Sequence, residues 1–217
     1  MYKILFFFVF FPVTLLSQTT YKIKDFSKNY YAKIIIEKKQ EKESGKQGTI
    51  IILEKNTKNE IIRVKSNGLN LEYSGNANCN TIPYKNQKII IYQDFNFDGQ
   101  KDFAIQNDNS ACYGSASYKI FLKESTTFCL NKKFSKLADE PFCGLFEVDN
   151  EKNQLITFQK SGCCQHITTT YSVENNIPTP ILIVKEEYDP NTNLKTITKQ
   201  FWKNGKMQTV VQKIKSE

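Results

Sequence analysis

The chain has 217 residues, 40% of them hydrophobic and 24% charged, with a formal net charge of +8. That length allows one domain with a sizeable core. Arg63 is the sole arginine and the lysines are spread along the sequence, which argues against a nucleic-acid binder, because such proteins gather arginine and clustered charge beside aromatic platforms.

In chain order, the first element is Met1-Tyr2-Lys3 followed by the apolar run from Ile4 to Phe11 and a small residue at Ser17. One positive charge, a short apolar stretch and a small residue predict a secretory signal peptide over 1–17, with cleavage after Ser17. The run is too short to span a membrane comfortably. The expectation is therefore a periplasmic or secreted protein, not inserted in a membrane after cleavage, with a single β domain over 18–217. Behind the signal, Tyr31–Ile36, Thr49–Leu53 and Glu60–Val64 are β-branched runs that read as strands. The mixed run from Glu37 to Glu43 between the first two reads as a solvated hairpin tip.

Lys88–Tyr92 and Phe103–Ile105 read as two more strands, and the segment between them carries the clearest chemistry in the chain. Asp94, Asn96 and Asp98 place oxygen side chains at alternate positions, Gly99 follows where the backbone must turn, and Asp102 stands ninth. Calcium takes six to eight oxygens, and a tight loop with every second side chain turned inward supplies most of them. The predicted ligands are Asp94, Asn96, Asp98 and Asp102 through side chains and Gln100 through its main-chain carbonyl. The twelfth position is Ile105, where an EF-hand carries a bidentate Glu. The site is therefore expected to be a micromolar-to-millimolar one between two strands.

Beyond the loop, Tyr118–Leu122 pairs with Thr127–Leu130 across a polar turn, and a short helix is expected around Phe134–Ala138. Gly144–Val148, Gln154–Phe158, His166–Val173, Pro180–Val184, Lys195–Trp202 and Met207–Val211 complete the strands. The turn at Asn204-Gly205 is a strong hairpin signal. Hairpins recurring at roughly 20 to 25 residues predict an all-β, antiparallel hairpin meander, best explained as a small β-propeller.

Six cysteines in an exported chain predict disulfides. Cys129 and Cys143 are the most local pair and are expected to join. Cys163 and Cys164, read as strand neighbours pointing to opposite faces, would then reach Cys79 and Cys112 in either order. A metal or nucleophile site at Cys163-Cys164-Gln165-His166 has no second ligand pair at metal spacing, and His166 is the only histidine.

The stretch from Gln93 to Leu122, with its calcium loop and Tyr113-Gly114, resembles exported bacterial proteins related to periplasmic immunity proteins. The likeness continues through Phe134–Leu137, Gly144–Phe146 and Lys160–His166, over roughly residues 85–187. The resemblance implies a small β-propeller with a calcium loop. It also implies an inhibitor whose partner is a lysozyme-like hydrolase that cleaves peptidoglycan. The alternative is a structural or adhesive calcium module that recognises sugars or surface proteins. Enzymatic function is not expected, since no nucleophile elbow, zinc-helix motif or phosphate-cradling glycine loop is present. Phe95, Phe97 and Tyr113 are candidate interface aromatics, with Phe97 alternatively anchoring the loop in the core.

Overall fold

The structure is a computed structural model that describes residues 18–37, 46–69, 71, 80–203 and 205–215. The expected signal peptide, most of the 37–43 run, Cys79 and Asn204 lie outside the described residues.

The strands fall into three sheets. The first holds β1 (Gln18–Lys24), β2 (Tyr30–Glu37), β3 (Lys46–Glu54), β4 (Glu60–Leu69) and β5 (Thr81–Pro83), in the order β4-β3-β2-β1-β5. The second holds β6 (Ile90–Gln93), β7 (Asp102–Ala111), β8 (Ser115–Glu124) and β9 (Thr127–Leu130) as a consecutive meander. The short helix α1 (Lys132–Lys136) follows. The third sheet runs in chain order through β10 (Glu147–Asp149), β11 (Gln154–Ser161), β12 (Gln165–Glu174), β13 (Ile177–Asp189), β14 (Leu194–Lys203) and β15 (Lys206–Lys215). The all-β, mostly antiparallel architecture matches the sequence pattern. Among the described residues the sheets form neither a closed barrel nor a propeller.

Two elements depart from a pure hairpin meander. β5 pairs in parallel with β1, Ile23 facing Ile82, and neither strand was marked by a periodic run in the sequence. β10 is shorter than the Gly144–Val148 pattern suggests, because Gly144 has φ +93, a left-handed backbone that cannot continue a ladder.

The second sheet sits at the centre, with its two faces in two different cores. Phe103 and Ile105 on β7 join Ile23, Ile34, Ile50, Ile52 and Val64 of the first sheet. Ala104, between them, faces the opposite way and packs with Ile120, Leu122, Phe134, Phe146, Leu155 and Tyr171. The period-2 alternation of β7 thus feeds both sides. The helix is fixed by Asn131, whose side chain accepts from Lys133 N and Phe134 N at 3.0 and 3.1 Å. This N-cap satisfies two donors that a one-turn helix cannot, and it holds Phe134 fully buried. Where β4 crosses β7, buried Gln106 donates to Gly68 O. A Cβ at Gly68 would stand 2.7 Å from Asn109 N, so the close approach requires glycine there. No helix among the described residues is long and apolar enough to cross a membrane.

The disulfide expectation is corrected. Cys112 bonds Cys143, Cys163 bonds Cys164, and among the described residues Cys129 is a free, exposed thiol. Proximity in sequence misled because Cys129 is held opposite Leu122 on the edge strand β9. Cys143 is instead brought to Cys112 by the neighbouring Cys112 N to Phe142 O hydrogen bond of 2.9 Å. Cys163 and Cys164 lie in the β11–β12 turn, not on a strand, so the opposite-face argument does not apply to them. Non-reducing peptide mapping is expected to return both pairs, with Cys129 alkylated without reduction. Replacing Cys112 and Cys143 together by alanine should lower stability by roughly 2–4 kcal/mol, since the bridge closes a loop over a sequence separation of 31. An unchanged urea midpoint would contradict that.

Candidate functional site

The 94–102 loop joins β6 to β7 on the rim of the central sheet. Its backbone is wound around its own carboxylates. Asp94 accepts from Phe97 N through Oδ1 and from Gly99 N through Oδ2, both at 2.8 Å. Asp98 Oδ1 accepts from Gln100 N at 2.7 Å. Two left-handed residues make this winding possible, Phe97 at φ 63 and Gly99 at φ 83. Glycine suits the second position. An aromatic residue at the first is unusual, a local strain of a kind that clusters at functional sites.

Asp102 closes the loop from below and is fully buried. Its Oδ2 accepts from Phe95 N and its Oδ1 from Lys123 N on β8, each at 2.8 Å. Burial pushes its carboxyl up to about 6, opposed by the two backbone donors and reinforced by the charges of Asp98 and Asp94. Among the described residues none of these three carboxylates has a lysine or arginine ion-pair partner. Lys101, the nearest in sequence, lies instead over the Tyr92 ring at 5.7 Å.

Asn96 is buried, and its orientation is set from outside the loop. Its Nδ2 donates to Asn176 Oδ1 at 2.8 Å and to Asp98 Oδ2 at 3.1 Å. Its Oδ1 is left toward the loop interior, where Asp98 N stands at 3.4 Å. Asn176 occupies the β12–β13 turn, where Asn175 and Asn176 both have positive φ, and its main-chain oxygen also accepts from Asn131 at 3.4 Å. One asparagine therefore ties together the loop, the helix cap and the third sheet. In the sequence Asn175-Asn176 stand between the His166–Val173 and Pro180–Val184 runs, outside any candidate site. The 80-residue separation from Asn96 left no local signal of the contact.

The donor set suits calcium in chemistry: every candidate, Asp94, Asn96, Asp98, Asp102 and the Gln100 carbonyl, offers oxygen, and the clustered negative charge has no ion-pair partner among the described residues. In convergence the loop falls short. Among the described residues no group of three or more acidic, cysteine or histidine side chains comes close enough to hold a metal ion.

The three interface aromatics separate clearly. Phe95 is fully buried against Phe146, with ring centroids 5.5 Å apart, so it is a core residue and not an interface one. Phe97 is half-buried against the same core and anchors the loop. Tyr113 is 71% exposed. It sits between β7 and β8 with φ 53 and ψ 31, beside the Cys112–Cys143 bridge. Its hydroxyl accepts from Gly162 N at 2.7 Å, and Lys160 Nζ lies 5.8 Å from its ring centre. Tyr113 thereby borders an open cleft of about 380 Å³ shared with Glu140, Gln159, Lys160, Gln165 and Ile167. His166 packs beside the Phe158 ring at 5.6 Å.

No protein-family model matches the chain, and no curated protein matches it. Among solved structures the chain is similar to "Structure of a Xanthomonas Type IV Secretion System related protein". The TM-score is 0.62 at 19% identity, over 91% of this chain and 94% of that one. At that identity the likeness establishes a shared fold, an all-β arrangement that extends over nearly the whole of both chains.

Proposed function

We propose that this chain is an exported protein that binds Ca2+ in the 94–102 loop and acts by binding, as an immunity protein that inhibits a peptidoglycan-cleaving effector. The observation that carries the proposal is the loop: three carboxylates, an oriented amide oxygen and, among the described residues, no lysine or arginine paired with them. Binding there needs the carboxylates of Asp94 and Asp98 to turn from loop amides toward a shared centre. In support, a solved structure that shares the fold is that of a type IV secretion system related protein.

Tyr113 is the proposed contact with the hydrolase. Large aromatics with a polar tip dominate interface energetics, and this one is pre-oriented by its backbone, its hydroxyl and the adjacent bridge. Loops on a rigid β scaffold are where recognition residues sit.

Titration calorimetry is expected to show one calcium per chain in the micromolar-to-millimolar range. At a hundredfold excess over the dissociation constant, the ion should raise stability by about 2.7 kcal/mol. Asp98→Ala should abolish the heat. Asn176→Gly keeps the left-handed turn but releases Asn96, so it should weaken binding by about tenfold, the equivalent of one lost hydrogen bond. No heat and an unchanged melting temperature in chelator would sink the calcium proposal.

The partner is tested separately, against a lysozyme-like peptidoglycan hydrolase. The protein should inhibit it, and Tyr113→Ala should raise the inhibition constant by about 30-fold or more, the scale of a hot-spot residue. Binding to glycans or surface proteins with no effect on hydrolase activity would favour the adhesive alternative. Cleavage of peptidoglycan by the purified protein, lost in Asp98→Ala, would overturn action by binding.

A further inference from the structure

The lysines that look evenly spread in the sequence are not evenly neutralised in the fold. The β14–β15 hairpin, residues 194–215, carries Lys195, Lys199, Lys203, Lys206, Lys213 and Lys215 and no Asp or Glu. Lys195 pairs with Glu186 on β13 at 3.1 Å. The other five have no ion-pair partner among the described residues and stand exposed.

The same hairpin lies outside both cores. β15 is exposed along its whole length, and it is the last strand of its sheet, so among the described residues its outer edge has no partner strand. Apolar residues appear on both faces, Val210 and Ile214 on one and Met207 and Val211 on the other. They are interleaved with lysines, and Trp202 on β14 is 55% exposed. A ten-residue edge with free N–H and C=O groups is a template for strand addition.

We propose that the outer edge of β15 is a docking site for an acidic, extended protein segment, which adds to the third sheet as its next strand. Charge chooses this occupant. Cross-strand neighbours on one face lie about 5 Å apart, so acidic side chains on the two faces of an added strand meet Lys206 on one face and Lys213 and Lys215 on the other. A second copy of this chain is disfavoured because its β15 brings lysines and no acidic residue to such a pairing, so nothing offsets the like charge. A membrane surface is disfavoured because lysines interrupt the apolar residues on both faces, and the turn itself is flanked by Lys203 and Lys206. The site is independent of the calcium loop, so the two proposals stand or fall separately.

The test uses the mature protein and a synthetic peptide of about ten residues in which glutamate pairs alternate with threonine pairs, so that both faces of the added strand carry acid. Trp202, the only tryptophan in the chain, reports binding through its emission. Amide exchange reports the edge. Expected are a saturable change in Trp202 emission and slowed exchange in β15. Affinity should be at least about tenfold weaker for the glutamine-for-glutamate peptide and should fall as salt rises. Lys206→Glu combined with Lys213→Glu should weaken binding at least about tenfold with an unchanged melting temperature. Equal affinity for the glutamine peptide, saturation without β15 protection, no binding at all, or Trp202 changes seen only with anionic vesicles would each overturn the proposal. So would sedimentation showing that the edge is occupied by a second copy of the chain.

Discussion

Replacing Asp102 by alanine is expected to cost about 3 kcal/mol in calcium-free protein, far more than replacing any other acidic residue of the loop. The side chain is fully buried and is the acceptor for two main-chain donors, Phe95 N and Lys123 N. Alanine leaves both without an acceptor, at about 1–3 kcal/mol each, while removing the cost of a buried charge returns part of that. The pH dependence separates the two contributions. Burial raises this carboxyl to about 6, so the unfolded chain gives up its proton first as pH rises. Stability from this group is fully present below the unfolded value near 4 and is lost as pH climbs through about 6. Calcium-free wild type should therefore be about 1 kcal/mol more stable at pH 5 than at pH 7.5 on account of Asp102 alone. Urea denaturation at the two pH values should show that difference in wild type and not in Asp102→Ala. Because protons and calcium compete for the same oxygens, calcium affinity should fall as pH is lowered through the same interval. A wild type equally stable at both values would show that Asp102 is more solvated than its burial implies.

Phe103→Ala should be at least as damaging, at about 3–5 kcal/mol. The Phe103 ring is fully buried and meets four others: Tyr92 at 4.6 Å, Phe128 at 4.8 Å, Tyr30 at 5.8 Å and Phe26 at 6.0 Å between centroids. These rings come from β6, β9, β2 and the β1–β2 connection, so one side chain fills the space where the first two sheets meet. Alanine leaves a cavity whose rigid aromatic walls cannot collapse. Phe103→Leu, which keeps most of the volume, should recover more than half of the loss. A loss under about 1 kcal/mol on urea denaturation of Phe103→Ala would mean that the sheets repack around the gap.

The strands were legible because each is a local pattern. Runs such as Tyr31–Ile36 and Tyr118–Leu122 alternate or concentrate β-branched residues, and polar turns separate them. The 94–102 loop was legible for the same reason, since its oxygens recur within nine residues. What the sequence concealed was every relation between distant parts. Three residues of β5 pairing in parallel with β1 carry no period of their own. Cys112 meets Cys143 through a main-chain hydrogen bond beside it, and nothing in the spacing of the cysteines points to that. Asn176 reaches Asn96 across two sheets. Phe95 and Phe97 look alike in sequence, but the left-handed backbone at Phe97 sends one ring wholly inside and leaves the other at the rim.

The central sheet belongs to both hydrophobic clusters, through alternate residues of a single strand. Neither cluster can melt and leave the other intact, because losing β7 from one side strips Phe103 and losing it from the other strips Ala104 and the ladder to β8. The two cores should therefore behave as one cooperative unit, giving a single denaturation transition with coincident probes. The β14–β15 hairpin shares none of those buried contacts. Its amides should exchange by local opening well below the free energy of global unfolding, so the molecule joins an all-or-none body to an independently breathing arm.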